Sequence, residues 1–213
     1  MDWLAKNWEL VINLSWVHIG LSILPVVVGL AVALPLGWVA FRYKRVGRFL
    51  VPASGLLYTI PSLPLFIALP VVLGTSILDP ANLVVGLTIY AVALLVRQIV
   101  DALASVSQDV RQASVAMGYS SWQRFWRVDL PLAGPVLLSG LRVVAVSTVS
   151  LVSIGSVIGV TSLGYLFLNG FKRGIPAEVF TGVVATVIIA FLFDGALVLI
   201  GRFAMPWKRK VTS

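Results

Sequence analysis

Apolar residues run on along this chain instead of alternating with polar ones. Continuous apolar stretches occupy roughly residues 18–41, 50–73, 81–96, 133–158 and 179–203. A membrane-crossing helix needs about 20 such residues, and the third stretch is the only short one. A transmembrane barrel strand would alternate instead. The pattern predicts an all-α polytopic membrane helix bundle of about five transmembrane helices. The first span ends at the basic cluster Arg42, Lys44, Arg45 and Arg48. The second contains Pro52, Pro61, Pro64 and Pro70, the third stops at Arg97, and the fourth and fifth carry Arg142 and Asp194 inside them.

Composition agrees with this reading. Of 213 residues, 59% are hydrophobic and 11% charged, against about 45–50% and about 25% in a soluble domain. A soluble enzyme, a disordered chain and a coiled coil are set aside. With no cysteine and a single histidine, disulfides, thiolate metal sites and cysteine catalysis are excluded, and no metal site is expected. His18, at the outer end of the first span, is given no role.

The net charge of +8 would suggest a nucleic-acid partner in a soluble protein. Here the placement of the charges gives orientation instead, and no nucleic acid is expected. One side holds Arg42, Lys44, Arg45, Arg48, Arg97, Arg111, Arg124, Arg127, Arg202, Lys208, Arg209 and Lys210; the other holds Lys6, Lys172 and Arg173. The bias of twelve against three makes the first side cytoplasmic. The N-terminus is therefore expected outside and the C-terminus inside. Met1 to Glu9 is not a basic leader. Residues 1–17, with Trp3, Trp8 and Trp16, are expected as an extracytoplasmic interfacial segment. Residues 18–205 form the membrane domain, and 206–213 a basic tail.

The 97–132 segment is the least apolar and holds seven charges. In it, Tyr119, Trp122, Phe125 and Trp126 fall at helical spacing and make one aromatic face. Gly118 permits a sharp turn before this helix, and Pro131 is expected to end it. Such a face suits docking into a partner's groove; packing back onto the protein's own helices is the other reading.

The same segment resembles the EAA loop of ABC importer permeases: Glu-Ala-Ala, three residues, Gly, nine residues, Ile-x-Leu-Pro. Gln112, Ala113 and Ser114 stand for the first part, then Gly118, then Val128, Leu130 and Pro131, with no gap. Gln112 removes the charge of the usual Glu. Thr59-Ile60-Pro61-Ser62-Leu63 and Gly140-Leu141-Arg142 resemble segments of the osmoprotectant branch, which carries glycine betaine, carnitine or choline. The resemblance implies a MetI-like fold. It implies a transmembrane subunit working by alternating access with ABC ATPase subunits, a second permease copy or paralogue, and an extracytoplasmic solute-binding protein. The chain has no Gly-x-x-x-x-Gly-Lys-Ser/Thr loop, so it is not expected to be an enzyme or to bind a cofactor; ATP and Mg would sit in the partner ATPase.

Two further site readings come from the residues. The prolines of the second span free backbone carbonyls that neighbours or water must satisfy, so Tyr58, Thr59, Pro61, Ser62 and Tyr90 are translocation-path candidates, the tyrosines as a cage for a quaternary amine. Arg142, nine residues after Ala133, and Asp194, nine before Phe203, lie about 13 Å from the same membrane face. They are an ion-pair candidate; snorkelling of Arg142 is the alternative. A permease for another amino acid-like solute, a stand-alone transporter and a membrane scaffold are the rival functions.

Overall fold

The computed structural model describes residues 2–207. Among them every regular element is helical. In chain order these are α1 (Asp2–Arg42), α2 (Lys44–Thr59), α3 (Ser62–Leu73), α4 (Pro80–Ala104), α5 (Gln108–Ala116), α6 (Ser121–Arg124), a π-helical turn (Phe125–Asp129), α7 (Leu130–Val152), a 3-10 turn (Ser153–Ile158), α8 (Gly164–Arg173) and α9 (Pro176–Ala204). Four are long and apolar enough to cross a membrane, and the bent pair α2–α3 makes a fifth if counted as one span.

The central helix is α4, which packs against α1, α2, α3 and α7, while α9 lies against α7, α8 and α1. Leu83, Leu87, Leu95, Val96 and Ile99 of α4 are all but fully buried. Helix α1 reaches it through a row of small residues four apart: Gly29, Ala33 and Gly37. A Cβ on Gly29 would lie 2.6 Å from the Ala91 side chain, and one on Gly37 would lie 2.6 Å from that of Ile99. Lipid tails are as apolar as leucine, so helices in a membrane gain from close van der Waals contact, and small residues permit it. Gly37→Ala is expected to destabilise the purified protein by about 1 kcal/mol, as modest overpacking does; a thermal melt in detergent reads this as a lower midpoint. An unchanged midpoint would mean that Ile99 yields freely.

Outside, the surface is what a bilayer or a partner helix requires. On α9, Phe180, Ile188, Phe191, Leu192, Ile200 and Phe203 are all exposed.

Several boundaries differ from the sequence reading. Helix α1 runs uninterrupted across residue 17, with only a kink at Asn7 (φ −126°). Beyond that kink it is longer than a hydrocarbon core of about 30 Å requires. Trp3 packs onto the core cluster of Leu14, Val149 and Leu163, while Trp8 and Trp16 are exposed. His18 is fully buried, and its Nε2 lies 2.9 Å from the carbonyl of Val149. Helix α4 does not stop at Arg97 but continues to Ala104, with Arg97 and Asp101, four apart, exposed near its end. Lys208, Arg209 and Lys210 of the basic tail lie outside the described residues.

Candidate coupling segment and intramembrane ion pair

Local chemistry shapes the 97–132 segment. The Ser107 hydroxyl accepts from the Asp109 N–H at the start of α5. The helix ends at Gly118, whose φ of +82° is the left-handed conformation glycine adopts without cost. Tyr119 N–H donates to Ser114 O across this turn (3.1 Å). Ser120 then caps α6 in a reciprocal box with Gln123, which satisfies two orphan donors.

Pro131 does not end the aromatic helix. The chain passes from α6 through the π-helical turn into α7 without a break, and Pro131 sits in the first turn of α7. The wider turn, with Leu130 N–H donating to Phe125 O, opens the backbone where proline would otherwise clash.

The aromatic face divides. Phe125 is 2% exposed and wedges inward, its ring 5.5 Å from that of Trp38 on α1. Trp122 and Trp126, edge to face at 5.6 Å, remain 58% and 45% exposed. Packing and presentation thus occur together. Gln112 and Ala113 are exposed, Ser114 is buried, and Val128, Leu130 and Pro131 are half-buried. An open cleft of about 390 Å³ lies between α5 and α6, lined by Arg111, Gln112, Val115, Ala116 and Arg124.

Sequence reasoning missed what braces this segment. Asp129, 3% exposed, lies 3.0 Å from Arg111 Nε and 3.3 Å from Arg124 Nε. Arg111 also donates to the Leu103 carbonyl at the end of α4, and its guanidinium lies 4.4 Å from the centre of the Phe41 ring of α1. One carboxylate therefore ties α5 and α6 to the foot of α7, while Arg111 ties them to α4 and α1. The available signal is an acid between apolar neighbours, Val128-Asp129-Leu130, in a segment with four arginines.

At the second span, α2 and α3 meet at 102°. The break falls at Ile60 and Pro61, which are extended. The carbonyl of Ile60 lies at the break, outside both helices, and accepts from Tyr90 of α4, whose hydroxyl donates to it at 2.5 Å. Tyr58 and Tyr90 do come together, but edge to face with centroids 5.5 Å apart. Tyr90 is buried, and Tyr58, Thr59 and Pro61 are exposed, with Ser62 half-buried. Thr59 donates its hydroxyl to Leu56 O. Tyr90→Phe is expected to leave the Ile60 carbonyl unpaired at a cost of about 1–3 kcal/mol, seen as a lower melting midpoint and easier proteolysis near residue 60. A midpoint equal to wild type would show that water replaces the hydroxyl.

Arg142 of α7 and Asp194 of α9 make a two-pronged ion pair, with Nε–Oδ1 and the second N–O contact both 2.6 Å. Their side chains are 38% and 31% exposed. They face an open cleft of about 420 Å³ with Ser139, Val143, Val146 and Ser147. Among the described residues no three His, Cys, Asp or Glu side chains cluster as a metal site.

Comparison with known proteins bears on this arrangement. Residues 26–206 match the family model described as binding-protein-dependent transport system inner membrane component. The osmoprotectant import permease protein OsmW of Salmonella typhimurium is 31% identical over 92% of this chain and 93% of its own. The carnitine transport permease protein OpuCB of Listeria monocytogenes is 29% identical over 86% and 83%. The fold matches a chain of the inward-facing MetNI methionine ABC transporter, with a TM-score of 0.79, 24% identity, and 93% and 98% covered. Such a permease is a transport subunit and not an enzyme; the ATPase is a separate subunit, and a binding protein delivers the solute. With 26–206 inside the family model, this chain belongs to the inner-membrane components of binding-protein-dependent transport systems.

Proposed function

We propose that this chain forms one half of the membrane path of an importer for quaternary-ammonium osmoprotectants such as glycine betaine or carnitine. A second permease, identical or paralogous, supplies the other half. The names of the relatives and the Thr59–Leu63 segment support the solute class. The charge bias supports an N-terminus outside and the 97–132 segment and C-terminus in the cytoplasm.

Coupling runs through the segment from Gln112 to Pro131. The observation that carries this reading is the pair Trp122 and Trp126, exposed on one side of a helix braced from behind by Phe125 and Asp129. Exposed tryptophans on a rigid support are the usual anchors of a protein interface. They seat in a groove of the ATPase, with Gln112 and Ala113 beside them. ATP and Mg are bound there and not by this chain. ATP binding favours one arrangement of the ATPase pair, and its differential affinity shifts the permease between outward and inward states. The bend at Thr59, Pro61 and Ser62, with Tyr58 alongside, borders the path, while Tyr90 holds the bend together.

The test is to purify the tagged chain from native membranes with its stoichiometric partners and to follow glycine betaine uptake. A P-loop ATPase should co-purify at about one per permease and be lost from the Trp122→Ala/Trp126→Ala variant. An ATPase that stays bound to that variant would move the docking site elsewhere. Its absence from every preparation would leave a stand-alone transporter as the better reading.

A further inference from the structure

The Arg142–Asp194 pair is poorly placed for a purely structural link. Asp194 lies four residues from the middle of α9 (Pro176–Ala204), about 6 Å along the axis, so the pair is deep in the apolar layer. Charges at such depth face a bundle interior or a water-filled cavity, not lipid. Yet the pair is partly open, and the cleft beside it is lined by Ser139, three residues before Arg142, and Ser147, five after it, together with Val143 and Val146. Among the described residues no other ionisable side chain lines it. The cleft therefore contains one positive and one negative group, adjacent and accessible, and its net charge is zero.

This sets the chemistry of a ligand. A cation that drew Asp194 away would leave Arg142 unpaired in a low-dielectric setting, and an anion on Arg142 would do the same to Asp194. A molecule carrying both charges replaces both partners at once. Its carboxylate takes the two-pronged geometry that a guanidinium offers, and its ammonium end lies against the Asp194 carboxylate. The quaternary head has no N–H to donate, so attraction there is Coulombic, and the apolar methyls meet Val143 and Val146.

We infer that Arg142 and Asp194 form a transient binding site for a zwitterionic solute within the membrane path, closed on itself when empty and opened by exchange of ion-pair partners when the solute arrives. This rests on the osmoprotectant reading above. The pair also links α7 to α9, so its opening frees the two helices to move against one another while solute is present, and its re-formation favours release.

The test uses the complete transporter, with ATPase and binding protein, in proteoliposomes. The variant Arg142→Gln/Asp194→Asn keeps shape and removes both charges together, so neither is left unpaired. Uptake of radiolabelled glycine betaine at saturating binding protein should fall at least tenfold, with the subunits still assembled in wild-type stoichiometry. Uptake within twofold of wild type would make the pair a helix link only. Should that variant fail to assemble, Ser147→Leu leaves the pair intact and fills the cleft. The same tenfold fall is expected from it, and unchanged uptake would overturn the site. A wild-type transporter that takes up neither glycine betaine nor carnitine would instead overturn the solute class, and the zwitterion site with it. Wild-type uptake with indifferent variants overturns the site alone.

Discussion

Asp129→Asn is expected to disconnect ATP hydrolysis from transport. Asparagine matches the carboxylate in shape but not in charge, so Arg111 and Arg124 lose their shared counter-ion. Both arginine side chains are only 18% exposed, and removing one member of a buried ion pair costs about 3–5 kcal/mol. Arg111 has other holds, on the Leu103 carbonyl and the Phe41 face, so α5 stays near α4 while its link to the foot of α7 slackens. The π-helical turn is then free to flex, and motion of the docked segment no longer reaches α7 as rigid-body displacement. In proteoliposomes, uptake should fall at least tenfold while the ATPase remains bound. A second variant separates stability from coupling. Arg111→Gln/Arg124→Gln/Asp129→Asn removes all three charges, so melting should recover toward wild type while uptake stays low. Full uptake in Asp129→Asn would show that Asp129 does not hold the coupling segment.

How this brace escaped the sequence reading is instructive. The apolar runs gave the fold, because a bilayer asks one simple thing of a helix and the chain meets it in long uninterrupted stretches. The motif spacing located the coupling segment for a similar reason: Gly118 and the prolines mark backbone geometry, which is local. Asp129 could not be weighed that way. Its partners lie 18 and 5 residues away, and only the fold of α5 back onto the foot of α7 brings Arg111 into reach.

Pro131 misleads on local grounds. Proline usually stops a helix, but a π-helical turn just before it opens the backbone, and that turn is a product of packing. The small-residue row Gly29, Ala33 and Gly37 was visible in principle, at a clean four-residue spacing. Nothing in the sequence pointed to α4 as its partner. Tyr90 illustrates a different case: an aromatic singled out for a quaternary amine has its hydroxyl engaged with the Ile60 carbonyl at the helix break.

Substitutions at Gly118 should rank by tolerance of the left-handed backbone and not by size. Its φ is +82°, and a Cβ there would meet nothing within 4 Å. Space is therefore available and conformation is the constraint. An L-residue with a Cβ costs about 1–2 kcal/mol in this region, and β-branched residues cost more, whereas asparagine visits it readily. Gly118→Asn should then keep most uptake, Gly118→Ala should lose part of it, and Gly118→Val should lose nearly all. The loss has a specific geometric cause. Tyr119 N–H bonds back to Ser114 O across this turn, and Ser120 caps α6 immediately after it. Moving Gly118 out of the left-handed region re-aims α6, and Trp122 and Trp126 with it, relative to Gln112 and Ala113. Two halves of one docking surface would no longer fit the same groove. The ATPase should dissociate from the Val variant during purification and remain with the Asn variant, although asparagine and valine differ little in volume. Equal loss in both would mean that side-chain bulk against the partner governs this position, and the turn would no longer explain why glycine stands there.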